Sequence, residues 1–146
     1  MKLVIVTTVC FLLLACKDKE NPTVTFQPDP DVCHFQTSGC QKSLDDIAVA
    51  LTLILSRPDA PSETPFEFSL STNQVVENVT MRLEGRDMFM GVIPIRLTQI
   101  SDKDYSGHLL YGSCSSGYMV WNAIVTFNYL GRHHEVLFAI LADNVK

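Results

Sequence analysis

Apolar and polar residues alternate with a period of two along most of the chain after residue 48. The longest example, YMVWNAIVTFNY, places six apolar side chains on one face: Met119, Trp121, Ala123, Val125, Phe127 and Tyr129. FEFSLS from Phe66 and VTMRLEG from Val79 alternate in the same way. Successive side chains of a strand point to opposite faces, so this pattern is typical of strands with one buried face. The chain is therefore predicted to be all-β.

Turn signals divide the chain into about seven or eight strands. RPDAPSETP, SDKD and the hairpin segment LGRH separate the alternating segments at intervals that are typical of a sandwich. In IPIRLTQI, Ile93, Ile95 and Leu97 share one face, and Pro94 indicates a strand start or an edge strand. We expect one antiparallel immunoglobulin-like β-sandwich over residues 33–146, with Trp121 in its core.

The segment SLDDIAVALTLIL, residues 43–55, fits two interpretations. As a strand, it places four residues on one face: Val49, Leu51, Leu53 and Leu55. As a helix, it begins with a Ser43 cap and forms an apolar stripe of Leu44, Ile47, Ala48 and Leu51. The strand is favoured, because β-like segments follow without a break.

The N-terminus has the pattern of a bacterial lipoprotein signal. Lys2 precedes an apolar run from Leu3 to Leu14, which is about as long as a signal-peptide core and too short to span a bilayer comfortably. The run ends in Leu-Leu-Ala-Cys, so we expect cleavage before Cys16 and a diacylglycerol thioether on its sulfur. The alternative is an ordinary secretory signal in which Cys16 is incidental. Lys17 in the next position resembles outer-membrane sorting, which places the protein on the periplasmic side of that membrane.

Three parts follow along the chain: a signal peptide at 1–15, a tether at 16–32 and the sandwich at 33–146. The tether is charged and contains three prolines without sustained periodicity. The formal net charge of −5 and the lack of Lys/Arg clusters make nucleic acid a poor partner, because such binding depends on phosphate neutralisation. No second apolar run reaches spanning length, so the lipid is the expected membrane attachment.

Three of the five cysteines, Cys33, Cys40 and Cys114, remain in the predicted domain. An exported bacterial protein meets an oxidising compartment. Cys33 and Cys40 enclose HFQTSG, a polar segment with a glycine turn signal, and we expect them to form a disulfide. Pairing of Cys114 with either of them stays open, because sequence does not fix connectivity.

The sequence also contains a candidate sulfur site for Cu(I), which soft sulfur ligands select. If strand ends bring two loops together, its ligands would be Met88, Met90, Cys114 and Met119. Core packing of the methionines is favoured, because methionine commonly fills gaps in cores. Gly85 and Gly91 bracket the Met88–Met90 pair and suggest a bulge or turn that re-aims the side chains.

The sequence favours a non-enzymatic role. It contains no Gly-x-Ser-x-Gly elbow, phosphate loop or His-Glu-x-x-His motif. A nucleophilic Cys114 with a histidine base is an alternative, but a disulfide or a buried thiol is favoured there. His133 and His134 are neighbours on a strand and should point to opposite faces, so they are not expected to chelate one ion.

Four segments resemble small periplasmic sandwich domains of the FixH/YtkA-like kind: PFEFSLS, VTMRLEGRDMFMG, YSGHLLYGSC and MVWNAIVTFNYLGRHHEVLFAI. The chain is also similar to proteobacterial lipoproteins with a Gly-x-x-Met-x-Met-Gly segment, a Cys-x6-Cys pair and a later Cys before a Trp strand. The matching residues are Gly85, Met88, Met90, Gly91, Cys33, Cys40, Cys114 and Trp121. The resemblance covers roughly residues 33–140.

FixH-like proteins are associated with copper-oxidase assembly, so the resemblance implies copper delivery by analogy. The chain departs from them by having a lipobox in place of a transmembrane anchor, and a shared sandwich does not establish a shared function. We therefore expect a lipid-anchored binding or accessory module that contacts an envelope protein through a sheet edge or a loop end. Copper handling through the sulfur site is the alternative, and a cysteine-dependent enzyme comes third.

Overall fold

The computed structural model describes residues 29–36, 39–113 and 117–143. The predicted signal peptide, Cys16 and Cys114 lie outside these residues. Within the described ranges the regular structure is entirely β, and no helix is long and apolar enough to cross a bilayer.

In the described ranges, nine strands form two antiparallel sheets, which confirms the predicted all-β sandwich. The strands are β1 Cys40–Leu44, β2 Val49–Leu55, β3 Phe66–Thr72, β4 Glu77–Gly85, β5 Val92–Ile95, β6 Thr98–Gln99, β7 Asp104–Leu109, β8 Val120–Tyr129 and β9 Arg132–Leu141. The structure has more strands than the seven or eight predicted, partly because the expected strand IPIRLTQI is divided into β5 and β6.

The strand order is that of an immunoglobulin-like sandwich. One sheet has the order β1-β2-β3-β7-β6 and the other β5-β4-β8-β9. Without β1, these orders correspond to the A-B-E-D and C′-C-F-G sheets of that architecture. Pro94 lies on β5, an edge strand, where its missing N–H costs no ladder hydrogen bond.

The strand interpretation of residues 43–55 is confirmed. β1 ends at Leu44, residues 45–48 form a turn, and β2 runs from Val49 to Leu55. β2 pairs with β1 on one side and β3 on the other. Its apolar face is buried at four positions: Val49, Leu51, Leu53 and Leu55.

The core lies between the sheets, and β8 contributes Trp121, Ala123, Val125 and Phe127 to it. Trp121 is fully buried, as predicted, and its ring stacks on Tyr111 at 5.4 Å between centroids. The Tyr111 hydroxyl donates a hydrogen bond of 2.9 Å to the Ala60 carbonyl oxygen, and burial raises the pKa of this hydroxyl. The aromatic pair therefore holds the β2–β3 loop against the start of β8.

Cys33 and Cys40 form the predicted disulfide, with 5.4 Å between their Cα atoms. The Cys33 amide donates a 2.8 Å hydrogen bond to the Ala139 carbonyl oxygen on β9. Beside it, Val32 forms a parallel bridge to Ala139. The disulfide thus joins a segment paired to the edge of one sheet with β1 in the other.

Two ends of the sandwich are distinguished by their loops. The first end carries the β2–β3, β4–β5 and β7–β8 connections, and we call it the Arg86 end. Here the Arg86 amide donates a 2.9 Å hydrogen bond to the Val120 carbonyl oxygen. The opposite end carries the β1–β2, β3–β4, β6–β7 and β8–β9 turns. We call it the Leu130 end, after the tip of the β8–β9 hairpin.

Candidate functional site

The described chain begins at the Arg86 end. Asp29 Oδ2 accepts a 2.6 Å charged hydrogen bond from Arg86 Nη1, and Tyr118 Oη lies 3.4 Å from the same carboxylate oxygen. The hydrogen bond from the Asp31 amide, together with Arg86, lowers the pKa of Asp29. Residues 29–32, which the sequence assigns to the tether, therefore contact the sandwich, and they do so beside the β4–β5 loop.

Met88 and Met90 lie in this β4–β5 loop and are not core residues. Their side chains are 43% and 39% exposed, so the packing interpretation of this pair is wrong. The physical reason is that β4 ends at Gly85, which removes the two residues from the inward alternation of Met81 and Leu83. Met119, in contrast, is buried in the core, as the packing interpretation requires.

Gly85 is the point on which two of the methionines converge. A Cβ atom at Gly85 would lie 2.9 Å from Met119 Cε and 3.4 Å from Met90 Cγ, and it would also meet the Met88 carbonyl oxygen. Only a residue without a side chain permits this approach. The Met90 and Met119 side chains therefore both lie close to Gly85, as does the Met88 backbone, whereas Cys114 lies outside the described residues.

No group of three or more His, Cys, Asp or Glu side chains suited to hold a metal occurs in the described part of the chain. His133 and His134 point to opposite faces of β9, as expected. His134 stacks on Phe127 with 5.6 Å between ring centroids, while His133 lies outside, with Nδ1 3.4 Å from Asn128 Oδ1. The histidine pair therefore presents no shared chelating site.

The β4–β5 loop also presents an aromatic side chain that the sequence analysis did not single out. Phe89 is 88% exposed, and Val92 just beyond the loop is also exposed. Together with Met88 and Met90 they form a short apolar surface, which we call the Phe89 surface. Its sequence signal is the run Met-Phe-Met-Gly-Val after the last alternating residue of β4.

Three turns at the Leu130 end carry exposed apolar side chains. Val75, Ile100 and Leu130 are exposed, and Leu130 is 80% accessible at the hairpin tip. A cleft of about 480 Å³ opens at this end where the β4 register shifts between Glu77 and Thr80. The cleft is lined in part by Glu77, Asn78, Gln99 and Tyr105.

The Leu130 end is acidic. Segments 45–48, 73–77, 100–104 and 130–132 contain five carboxylates and two basic side chains, all of them on exposed residues. These are Asp45, Asp46, Glu77, Asp102, Asp104, Lys103 and Arg132. The excess of three negative charges surrounds the apolar tips, so this end is complementary to a basic surface with apolar groups.

The fold defines the class of the protein as an immunoglobulin-like β-sandwich. Comparison with protein-family models finds no match, and comparison with curated proteins finds none. Among solved structures, the chain is similar to a DUF4785 family protein from Legionella pneumophila subsp. pneumophila str. Philadelphia 1, with 15% sequence identity and a TM-score of 0.47. The match covers 64% of this chain and 28% of that one. At this level of similarity nothing follows about function.

Proposed function

We propose that this chain is a lipid-anchored protein of the bacterial cell envelope that binds another envelope protein and has no enzymatic activity. One observation carries the proposal: the two ends of the sandwich differ in what they present. The chain from Cys16 reaches the sandwich at the Arg86 end, where Asp29 pairs with Arg86. The exposed apolar turns and the cleft lie at the Leu130 end. A domain held by one end leaves the other accessible to a partner.

The proposed anchor is the diacylglycerol thioether at Cys16, with cleavage before that residue. Several acyl chains, each burying many methylenes at about 0.8 kcal/mol apiece, anchor a protein stably. Lys17 supports an outer-membrane location facing the periplasm. The twelve residues 17–28 separate the proposed lipid site from Asp29.

The partner site is proposed at the Leu130 end. Loop tips at one end of an immunoglobulin-like sandwich form the binding site of antibody variable domains, but fold alone does not establish function. The support here is local: Val75, Ile100 and Leu130 are apolar and exposed on three turns of this end, and the charge on the turns of this end is acidic. The partner is therefore expected to present basic and apolar side chains.

Lipid attachment is tested by growth with a labelled fatty acid, followed by mass measurement of the N-terminal peptide. We expect the wild-type chain to carry the labelled fatty acid and the Cys16→Ser variant to carry none. The Cys16→Ser variant should also be lost from the membrane fraction. An unmodified N-terminal Cys16, or cleavage elsewhere, would overturn the anchor.

Partner binding is tested with a photoreactive amino acid at Leu130 in intact membranes. The matched control has the same amino acid at Glu67, which is exposed on the side of the sandwich. A discrete protein adduct is expected at Leu130 only, and its yield should fall with salt because screening weakens charge complementarity. Equal adducts at both positions, or none at either, would contradict a specific site at the Leu130 end.

Cu(I) handling is the second candidate, and the convergence of Met90 and Met119 on Gly85 is the observation that favours it. Thioethers are soft ligands suited to Cu(I), and the donors would be Met88, Met90 and Met119, with Cys114 from the adjoining β7–β8 connection.

Titration of the mature chain with Cu(I) against a competing chelator tests this candidate. Replacing Met88, Met90 and Met119 together by Leu should abolish binding, whereas Met81→Leu, at a buried β4 position, should not change it. Affinity weaker than about 1 µM would end the copper hypothesis.

A further inference from the structure

We propose that the Phe89 surface inserts into the surface of the bilayer that carries the lipid anchor, giving the Arg86 end a second membrane contact. This inference rests on the proposed attachment at Cys16 and concerns the opposite end of the molecule from the proposed partner site. The occupant of the surface is a lipid bilayer, and a Phe89→Trp reporter that bilayer lipid fails to quench would count against it.

The position of the chain entry supports a bilayer as the occupant. Asp29, which follows the short segment 17–28, forms a 2.6 Å ion pair with Arg86. Phe89 lies three residues after Arg86 in the same loop. The proposed lipid site and the Phe89 surface are therefore connected to the same end of the sandwich, with the twelve residues 17–28 between the lipid site and Asp29.

The chemistry of the loop fits the bilayer interface. Residues 88–92 have no charged side chain, and they present one aromatic ring between two thioethers. Apolar and aromatic side chains enter the boundary between headgroups and acyl chains, where removal from water is favourable. The exposure of Phe89 at 88% means that its ring reaches this boundary without any rearrangement of the core.

The charges near the loop define which lipid is involved. Asp29 and Asp87 both pair with Arg86, the cation at the start of the loop, so its charge is already neutralised by carboxylates. Anionic headgroups would gain no attraction here. The contact is therefore apolar, and it is expected with zwitterionic phospholipid and with little dependence on salt.

The test uses the lipidated mature chain in phosphatidylcholine vesicles whose acyl chains are brominated, with Phe89→Trp as the reporter. The natural Trp121 is fully buried and supplies a constant background. The matched control is Ile100→Trp, because Ile100 is exposed at the Leu130 end. We expect a blue shift and strong quenching for Phe89→Trp, and the emission of Ile100→Trp should match that in unbrominated vesicles.

A second variant tests whether the thioethers of Met88 and Met90 contribute to insertion. Replacing Met88 and Met90 by Ser in the Phe89→Trp chain should reduce the quenching, and an unchanged thermal unfolding midpoint would show that the fold is intact. Equal quenching of the Phe89 and Ile100 reporters, or none for Phe89→Trp, would overturn the insertion.

The mass of the N-terminal peptide is measured in the same samples, which separates the two proposals. A modified Cys16 with an unquenched Phe89→Trp reporter rejects the insertion alone. An unmodified Cys16 rejects the anchor, and the insertion is rejected with it.

Discussion

The Asp29 carboxylate lies 2.6 Å from the Arg86 guanidinium, and both side chains are about one quarter exposed. This ion pair joins residues 57 positions apart and fixes where the chain from the N-terminus meets the sandwich. Because Arg86 begins the β4–β5 loop, the same ion pair places the chain entry beside Phe89. The orientation that we propose at the membrane follows from this relationship.

Docking of residues 29–33 should depend on pH through Asp29. The pKa of Asp29 is lowered in the folded protein. The stabilisation of the docked segment by ionised Asp29 is therefore fully present above the unfolded-state pKa of about 3.9, and it is lost as pH falls through the folded-state pKa. The methyl chemical shifts of Val32, which packs on Val120 and Ala139, should therefore be constant at neutral pH and change in the acid range. Asp29→Asn should remove this transition, and Asp31→Asn should retain it. Identical titrations in all three proteins would refute the assignment to Asp29.

The Cys33–Cys40 disulfide should stabilise the domain. Replacing both residues by Ser is expected to lower the free energy of unfolding by about 2.5 kcal/mol on the chain-entropy model for a loop of this size. Chemical denaturation measures the difference, with the wild-type chain under reducing conditions as the matched comparison. An unchanged free energy of unfolding would show that the cross-link does not constrain the unfolded chain.

Gly85→Ala should be destabilising. The added Cβ would lie 2.9 Å from Met119 Cε and would meet the Met88 carbonyl oxygen, so the loop or the core must shift, at a cost of about 1–3 kcal/mol. Gly112→Ala is the matched control, because a Cβ there meets nothing within 4 Å; its effect should stay within about 0.5 kcal/mol. Equal unfolding midpoints for the two variants would contradict the close approach at Gly85.

The strands were predictable because their evidence is local. FEFSLS alternates and forms β3, and the inward set of the YMVWNAIVTFNY segment, including Trp121, lies in the core. IPIRLTQI shows the limit of alternation. It reads as one strand, yet β5 pairs in one sheet and β6 in the other. A period of two indicates which residues face inward but not when the chain changes its partner sheet.

The loop surfaces were harder to predict, for a different reason. Core packing, which the sequence favoured for Met88 and Met90, is wrong for both. The correct signal was the pair of glycines, Gly85 and Gly91, which indicated a turn that takes the two side chains out of the inward alternation. The Asp29–Arg86 pair depends on long-range topology, which no local pattern encodes. Attachment at Cys16 and the role of Cys114 remain predictions, since both residues lie outside the described ranges.

The height of each end above the bilayer is the most direct test of the proposed orientation, in which the Arg86 end faces the membrane. A fluorescent amino acid is placed at Phe89 or at Leu130 in the lipidated chain, and energy transfer to an acceptor in the lipid headgroups is measured. The ten-residue β8 spans the two ends, which implies a difference of about 30 Å when the sandwich stands upright. With the Arg86 end at the membrane, we expect strong energy transfer from position 89 and weak energy transfer from position 130. Equal transfer, or stronger transfer from position 130, would contradict this orientation.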